Sequence, residues 1–218
     1  GANLNSVDNN GLTALMYAFQ SGQAEVIINK LVEKGADPNQ ASNRGGTALM
    51  MASDLGYNNI ISILIEKGAD PNQADNIGGT ALIMASDFGY SNTIDILIEK
   101  GADPNQADKT GKTALMNASL NGHIDAIDKL IEKGANPNQA NDDGWTALML
   151  ASYNGHSKAV DILLKKGADH DNDRLTALDI AKQAGHKKCV ALLKKYSGKK
   201  AQKRYSSDQS QTAIRKNL

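Results

Sequence analysis

The 218-residue chain is short of the residues that usually anchor a single globular core. It has one Trp, two Phe and an aromatic content of 4%. A core built in one piece normally uses more, whereas an array of small helices packed through Ala, Leu and Ile does not need them. Cys189 is the only cysteine, so no disulfide can form within the chain, a usage that fits a reducing, intracellular setting. Neither sign of charge is in excess. The 24 Lys and Arg balance 24 Asp and Glu, which removes the overall field that would draw nucleic acid or an anionic membrane. No apolar run approaches the roughly 18 residues of a membrane span. No initiator Met or signal-peptide pattern stands at Gly1, and the opening GANLN matches the end of a unit whose helices do not precede it. The chain is therefore expected to be a piece of a longer protein. Proline is scarce as well, and all four (Pro38, Pro71, Pro104 and Pro137) occupy one position of a recurring loop.

Recurrence is what the sequence has in quantity. Gly35, Gly68, Gly101, Gly134 and Gly167 open GADPNQA, GANPNQA or GADHD and stand 33 residues apart. Thr13, Thr47, Thr80, Thr113, Thr146 and Thr176 each open Thr-Ala-Leu. The first unit is one residue longer, and the last linking segment is three residues shorter. Each Thr is placed to cap a helix N-terminus through its hydroxyl. Gly56, Gly89, Gly122 and Gly155 then end a short first helix. In the second helices Ile94, Leu97, Ile98, then Ile127, Leu130, Ile131, then Val160, Leu163, Leu164 recur at helical spacing. Neither helix of a unit could bury its apolar face alone, so the units must stack.

A 33-residue helix–turn–helix–loop unit with Gly-x-Thr-Ala-Leu resembles the ankyrin repeat family over residues 1–196. The resemblance implies an all-α solenoid of six helix pairs, at about 13–34, 47–67, 80–100, 113–133, 146–166 and 176–195, with hairpin loops and a concave groove. The family's Thr-Pro-Leu-His appears here with Ala in place of Pro. Met50, Ile83, Met116 and Met149 stand where the family has His, which implies one side-chain hydrogen bond fewer in each hairpin. The last pair carries Asp179, Lys182, Lys187 and Lys188, as a polar terminal cap should.

No motif here amounts to an active site, so the reading is non-enzymatic, with no cofactor and no metal. Gly111-Lys112-Thr113 ends like a phosphate loop, but Gln106 stands where the first Gly of that motif belongs. Asp169, Asp171 and Asp173 open like a calcium loop, but Arg174 and Ile180 hold its sixth and twelfth positions. His123, His156 and His186 repeat in register, which favours a structural hydrogen bond over a zinc site. Cys189 falls on an apolar helix side. Asn117-Ala-Ser119 fits a glycosylation sequon but lies within a helix.

If folding fixes the common frame, function lies where the units differ. Two sets differ: the hairpins and the ends of the first helices. They supply the candidate partner-binding residues Arg44, Asp54, Leu55, Tyr57, Ile77, Asp87, Phe88, Tyr90, Lys112, Leu120, Asp142, Asp143, Trp145 and Tyr153. In the ankyrin family such positions look into the groove, an implication of the resemblance alone. Leu55, Phe88, Leu120 and Tyr153 are expected to form one apolar row across four units, and Trp145 to stand in a hairpin where the core gains little from it, either as a contact anchor or as a staple between adjacent hairpins. Residues 187–218 hold ten Lys or Arg against one Asp, so the remainder carries the matching acid excess. The expected partner is a protein or peptide, basic and with apolar anchors. A basic tail, 197–218, follows the array and reads as a solvated extension. The Asn-, Lys- and Ile-rich repeats resemble those of effectors from intracellular bacteria, which would place the protein in a host cytosol or nucleus, as a monomer in isolation. Two alternatives remain: a targeting region for an upstream enzyme such as a methyltransferase, or, least favoured, nucleic-acid binding through the tail.

Overall fold

The computed structural model describes residues 3–169 and 176–197. Six helix pairs follow one another: α1 (Ala14–Tyr17) continued by a 3₁₀ turn (Ala18–Gln20) and α2 (Ala24–Glu33); α3 (Ala48–Asp54) and α4 (Asn58–Glu66); α5 (Ala81–Asp87) and α6 (Ser91–Glu99). Then come α7 (Ala114–Asn121) and α8 (Ile124–Glu132), α9 (Ala147–Tyr153) and α10 (Ser157–Lys165), and α11 (Ala177–Gln183) with α12 (187–197). Among the described residues there is no strand, only single bridges that close hairpins, such as Ala74 to Thr80 and Ala107 to Thr113. The extra residue of the first unit is absorbed between its helices. There α1 is a single turn, the 3₁₀ turn follows, and Gly22 does not take the left-handed conformation found at Gly56, Gly89, Gly122 and Gly155.

Each first helix starts as its sequence dictates. The hydroxyls of Thr47, Thr80, Thr113 and Thr146 accept the main-chain N–H three residues on, at 3.3 to 3.4 Å. The helices form two rows. α3, α5, α7, α9 and α11 contact one another in sequence, and so do α2, α4, α6, α8 and α10. Between the rows lie Leu49, Leu82, Leu115 and Leu148 from the first helices and Ile61, Ile94, Ile127 and Val160 from the second, all buried. Complete burial of such a side chain is worth about 1.5–3 kcal/mol. Met50, Ile83, Met116 and Met149 are buried with them, so these residues exchange a hydrogen bond for core volume.

Three ladders tie unit to unit. The first explains the repeated GADPNQ. Asn72 Oδ1 accepts the Asp103 main-chain N–H at 2.7 Å while Asn72 Nδ2 donates to the Gly101 carbonyl at 2.8 Å. Asn39, Asn105 and Asn138 do the same one unit before, one after and two after. The second joins hairpin backbones: the N–H of Asn76, Lys109 and Asp142 donates to the carbonyl of Arg44, Ile77 and Thr110. The third runs along the second helices, where Lys100, Lys133 and Lys166 meet Glu66, Glu99 and Glu132 of the preceding unit. Lys133 and Lys129 also hold Asp95, and Lys166 holds Asp128. The hydrogen bond to Lys133 keeps the Asp95 carboxyl below its ordinary range; partial burial opposes this and the Lys129 charge assists it.

Two outcomes follow. Gly78 has φ of +86°, and a Cβ there would lie 2.6 Å from the Lys109 nitrogen, whereas Gly68, at φ +95°, has open space. Gly68→Ala should cost about 1 kcal/mol of left-handed strain, and Gly78→Ala at least about twice that, read from urea midpoints at equal slope. Because the folded Asp95 carboxyl titrates below the unfolded one, its stabilisation is complete above about pH 4 and is lost as the pH falls through the lower, folded value. Urea melts across pH 2–7 should show a smaller acid-side loss in Asp95→Asn than in the native chain.

Candidate interaction surface

The exposed large apolar side chains are not spread evenly. Among the described residues Val7, Tyr17, Leu55, Tyr57, Ile77, Phe88, Tyr90 and Tyr153 all lie on hairpins, first helices or the turns that follow them, and only Val26 lies on a second helix. The second-helix face instead carries the ion-pair ladder. The surface that remains available is thus formed by hairpin tips, first helices and their C-terminal turns. Arg44, Ile77, Asp142 and Asp143 are exposed at hairpin tips, Ile77 at 70%. Lys112, beside Thr113, is half-buried, and its main-chain N–H donates to Asp108 Oδ1 at 3.0 Å. Asp54 and Asp87, both exposed, are the last residues of α3 and α5.

The expected apolar row is corrected. Leu55 and Phe88 stand eight residues after their capping Thr, as helix C-caps, whereas Leu120 and Tyr153 stand seven after theirs, inside the helix. One residue on a helix turns a side chain by about 100°, so the four cannot share one line. Their exposure follows this: Leu55 and Phe88 are 43% and 50% exposed and Tyr153 56%, but Leu120 is half-buried. The surface instead divides into two apolar regions. One holds Leu55, Tyr57, Phe88 and Tyr90. The other holds Tyr153 with Trp145, whose rings meet edge to face at 5.7 Å. Trp145 also serves the core more than its hairpin position suggests; it is half-buried and packs against it. A cleft of about 550 Å³ beside it is lined by Trp145, Tyr153, Ile180, Gln183, Ala184 and His186.

The histidines have the structural role their register suggests. Nε2 of His123, His156 and His186 meets the carbonyls of Asp87, Leu120 and Tyr153 at 2.8, 3.0 and 2.9 Å. The imidazoles lie against Gly89, Gly122 and Gly155, where no Cβ would fit. Tyr90 takes the same position one unit earlier, its ring against Gly56, and Tyr57, one unit before that, stacks on Phe19 at 6.4 Å. These two tyrosines therefore pack between units while remaining exposed at 42% and 37% for Tyr57 and Tyr90. Sequence reasoning took them as contact residues and missed this second role, although the column Tyr57, Tyr90, His123, His156, His186 shows it.

The remaining motifs settle into the frame. Thr113 caps α7. Asn117 lies half-buried within α7. Cys189 is buried, and burial pushes its thiol up, away from the reactive thiolate. Among the described residues no group of three or more His, Cys, Asp or Glu is placed to hold a metal ion. No helix among them is long and apolar enough to cross a membrane. Residues 170–175 of the calcium-like loop and the basic tail beyond Ser197 lie outside the described residues.

The geometry defines a stacked array of helix–turn–helix–loop units. A sequence profile described as ankyrin repeats (3 copies) matches residues 1–75, 71–141 and 115–205. The chain belongs to the ankyrin repeat family. No curated protein matches it in sequence. Membership implies a protein–protein interaction module.

Proposed function

We propose that this array binds a basic protein or peptide across its hairpin tips and first-helix ends, without catalysis. One observation carries the reading: the exposed large apolar side chains gather on that surface while the second-helix face is occupied by its own ion pairs. Isolated apolar side chains are ordinary on a surface, but a contiguous set rimmed by polar groups marks an interaction site. Leu55, Tyr57, Phe88 and Tyr90 supply the anchors of one region, and Trp145 and Tyr153 those of another. Leu120 adds apolar cover between them. Asp54, Asp87, Asp142 and Asp143 set a negative rim that favours cationic partners. Arg44, Ile77 and Lys112 vary the hairpin side of the surface from unit to unit and so contribute selectivity. A role as an effector inside a eukaryotic host rests only on the residue flavour of the repeats.

The test is affinity capture from eukaryotic lysate with mass spectrometry, using the native chain beside a variant carrying Leu55→Ala, Phe88→Ala and Tyr153→Ala. Circular dichroism checks that the variant is folded. Capture by the native chain should fall at least about tenfold in the variant, as for the removal of several anchor side chains. Equal capture by both would move the contact off this surface.

A further inference from the structure

The acid that ends α5 shows what the acid that ends α3 lacks. Asp87 is satisfied by the following unit. Asn121 Nδ2 donates to its carbonyl and to its carboxylate, each at 3.0 Å, and His123 Nε2 donates to the same carbonyl at 2.8 Å. Asp54 holds the corresponding position 33 residues earlier. There the places of Asn121 and His123 are taken by Phe88 and Tyr90, stacked 5.7 Å apart with 16° between their planes. Among the described residues no hydrogen bond from this stacked pair or any other group reaches the Asp54 carbonyl or carboxylate. The result is a gap in the bonding pattern, a notch in the ladder: two acceptors of Asp54 that no described group bonds, at a register where the stacked aromatic pair replaces the donors of the next.

Charge selects the occupant. Residues 44–100 hold seven Asp or Glu against three cations, Arg44, Lys67 and Lys100. Lysines hold Glu66, Asp95 and Glu99 on the second-helix side, while Asp54 has no cation paired with it among the described residues. Lys67 sits at the far end of α4, as its C-cap. The notch therefore asks for N–H donors that carry positive charge and tolerate an aromatic face. A guanidinium meets all three demands: it is planar, always charged, offers five N–H donors in a fixed fork and stacks on aromatic rings.

We propose that the Asp54 notch between the second and third units receives an arginine side chain of the partner. This rests on the interaction surface proposed above and names one contact within it. The arginine does at Asp54 what Asn121 and His123 do at Asp87. Its N–H groups reach the carboxylate and carbonyl, and its plane lies along Phe88 and Tyr90. The chain thus leaves open, at one register, an acceptor pair that it closes with its own side chains at the next.

The probe is a fluorescein-labelled hexa-arginine peptide, compared with its hexa-citrulline counterpart, by fluorescence anisotropy on the full chain at low ionic strength. Hexa-arginine should bind and hexa-citrulline should not. Asp54→Asn should weaken binding about fivefold or more, as the loss of a charged hydrogen-bond acceptor does. Asp125→Asn removes the same charge from an exposed position in the first turn of α8, on the second-helix side, and should change it less than about twofold. The double variant Phe88→Asn, Tyr90→His gives the third unit the donors of the fourth. It should close the notch and weaken binding as Asp54→Asn does; if it does not fold, Asp54→Asn alone decides. Equal binding by the Asp54→Asn and Asp125→Asn variants would overturn the site, and so would absent hexa-arginine binding. Unchanged peptide binding together with lost lysate capture in the anchor variant would overturn the notch and leave the surface standing.

Discussion

The side chain of one asparagine per unit sets how each unit meets the next. Asn39, Asn72, Asn105 and Asn138 each receive a main-chain N–H from the following loop and return an amide proton to the carbonyl of its glycine. A side-chain amide, with its acceptor and its donor on separate atoms, fixes both the separation and the register of two backbones, which an acceptor-only carboxylate could not do alone. With that register set, Leu49, Leu82, Leu115 and Leu148 fall at matching positions of adjacent first helices, the hairpin backbones come within bonding distance and the lysines of one second helix reach the acids of the one before. Stacked repeats derive their stability from such nearest-neighbour terms, so the loop bond and the core act together.

This constraint also decides which surface is left for recognition. The second helices spend their charged residues on one another, through Lys133 with Asp95 and Glu99 and Lys166 with Asp128 and Glu132. The hairpins commit their backbones but not their tips. The first-helix ends commit differently in each unit: Asp87 is held by Asn121 and His123 of its neighbour, whereas for Asp54 the corresponding positions carry Phe88 and Tyr90. Variation in an otherwise uniform array thus appears as a difference in which groups are already bonded, and this guides the assignment of contacts more directly than exposure does.

Much of the fold was legible because its signals are local. The capping Thr, the glycine that ends each first helix and the 3.6-residue spacing of Ile94, Leu97 and Ile98 each concern one helix and its ends. The 33-residue period then assembles them without knowledge of contacts. The misread features depend on direction or on a neighbouring unit. SDLG, SDFG, SLNG and SYNG each place an apolar residue near the glycine, but in the first two it stands one place before the glycine and in the others two, which turns it by about 100°. That offset broke the supposed row. Trp145 looked of little use to the core because its hairpin is polar, yet its ring reaches back to Tyr153 and the core. The asparagine of GADPNQ read only as part of a stiff loop, since its partners lie 29 and 31 residues away.

The central claim is that this asparagine couples neighbouring units, and amide hydrogen exchange on the full chain carrying Asn72→Ala tests it most directly. The Asp103 amide, bonded to Asn72 Oδ1 in the native chain, should exchange at least about tenfold faster, as the loss of a bond worth about 1.4 kcal/mol would give. The Asp37 amide, bonded to Asn5 two units away, should keep its native rate. Unchanged protection at Asp103 would contradict the account, because the units would then be held in register without the asparagine.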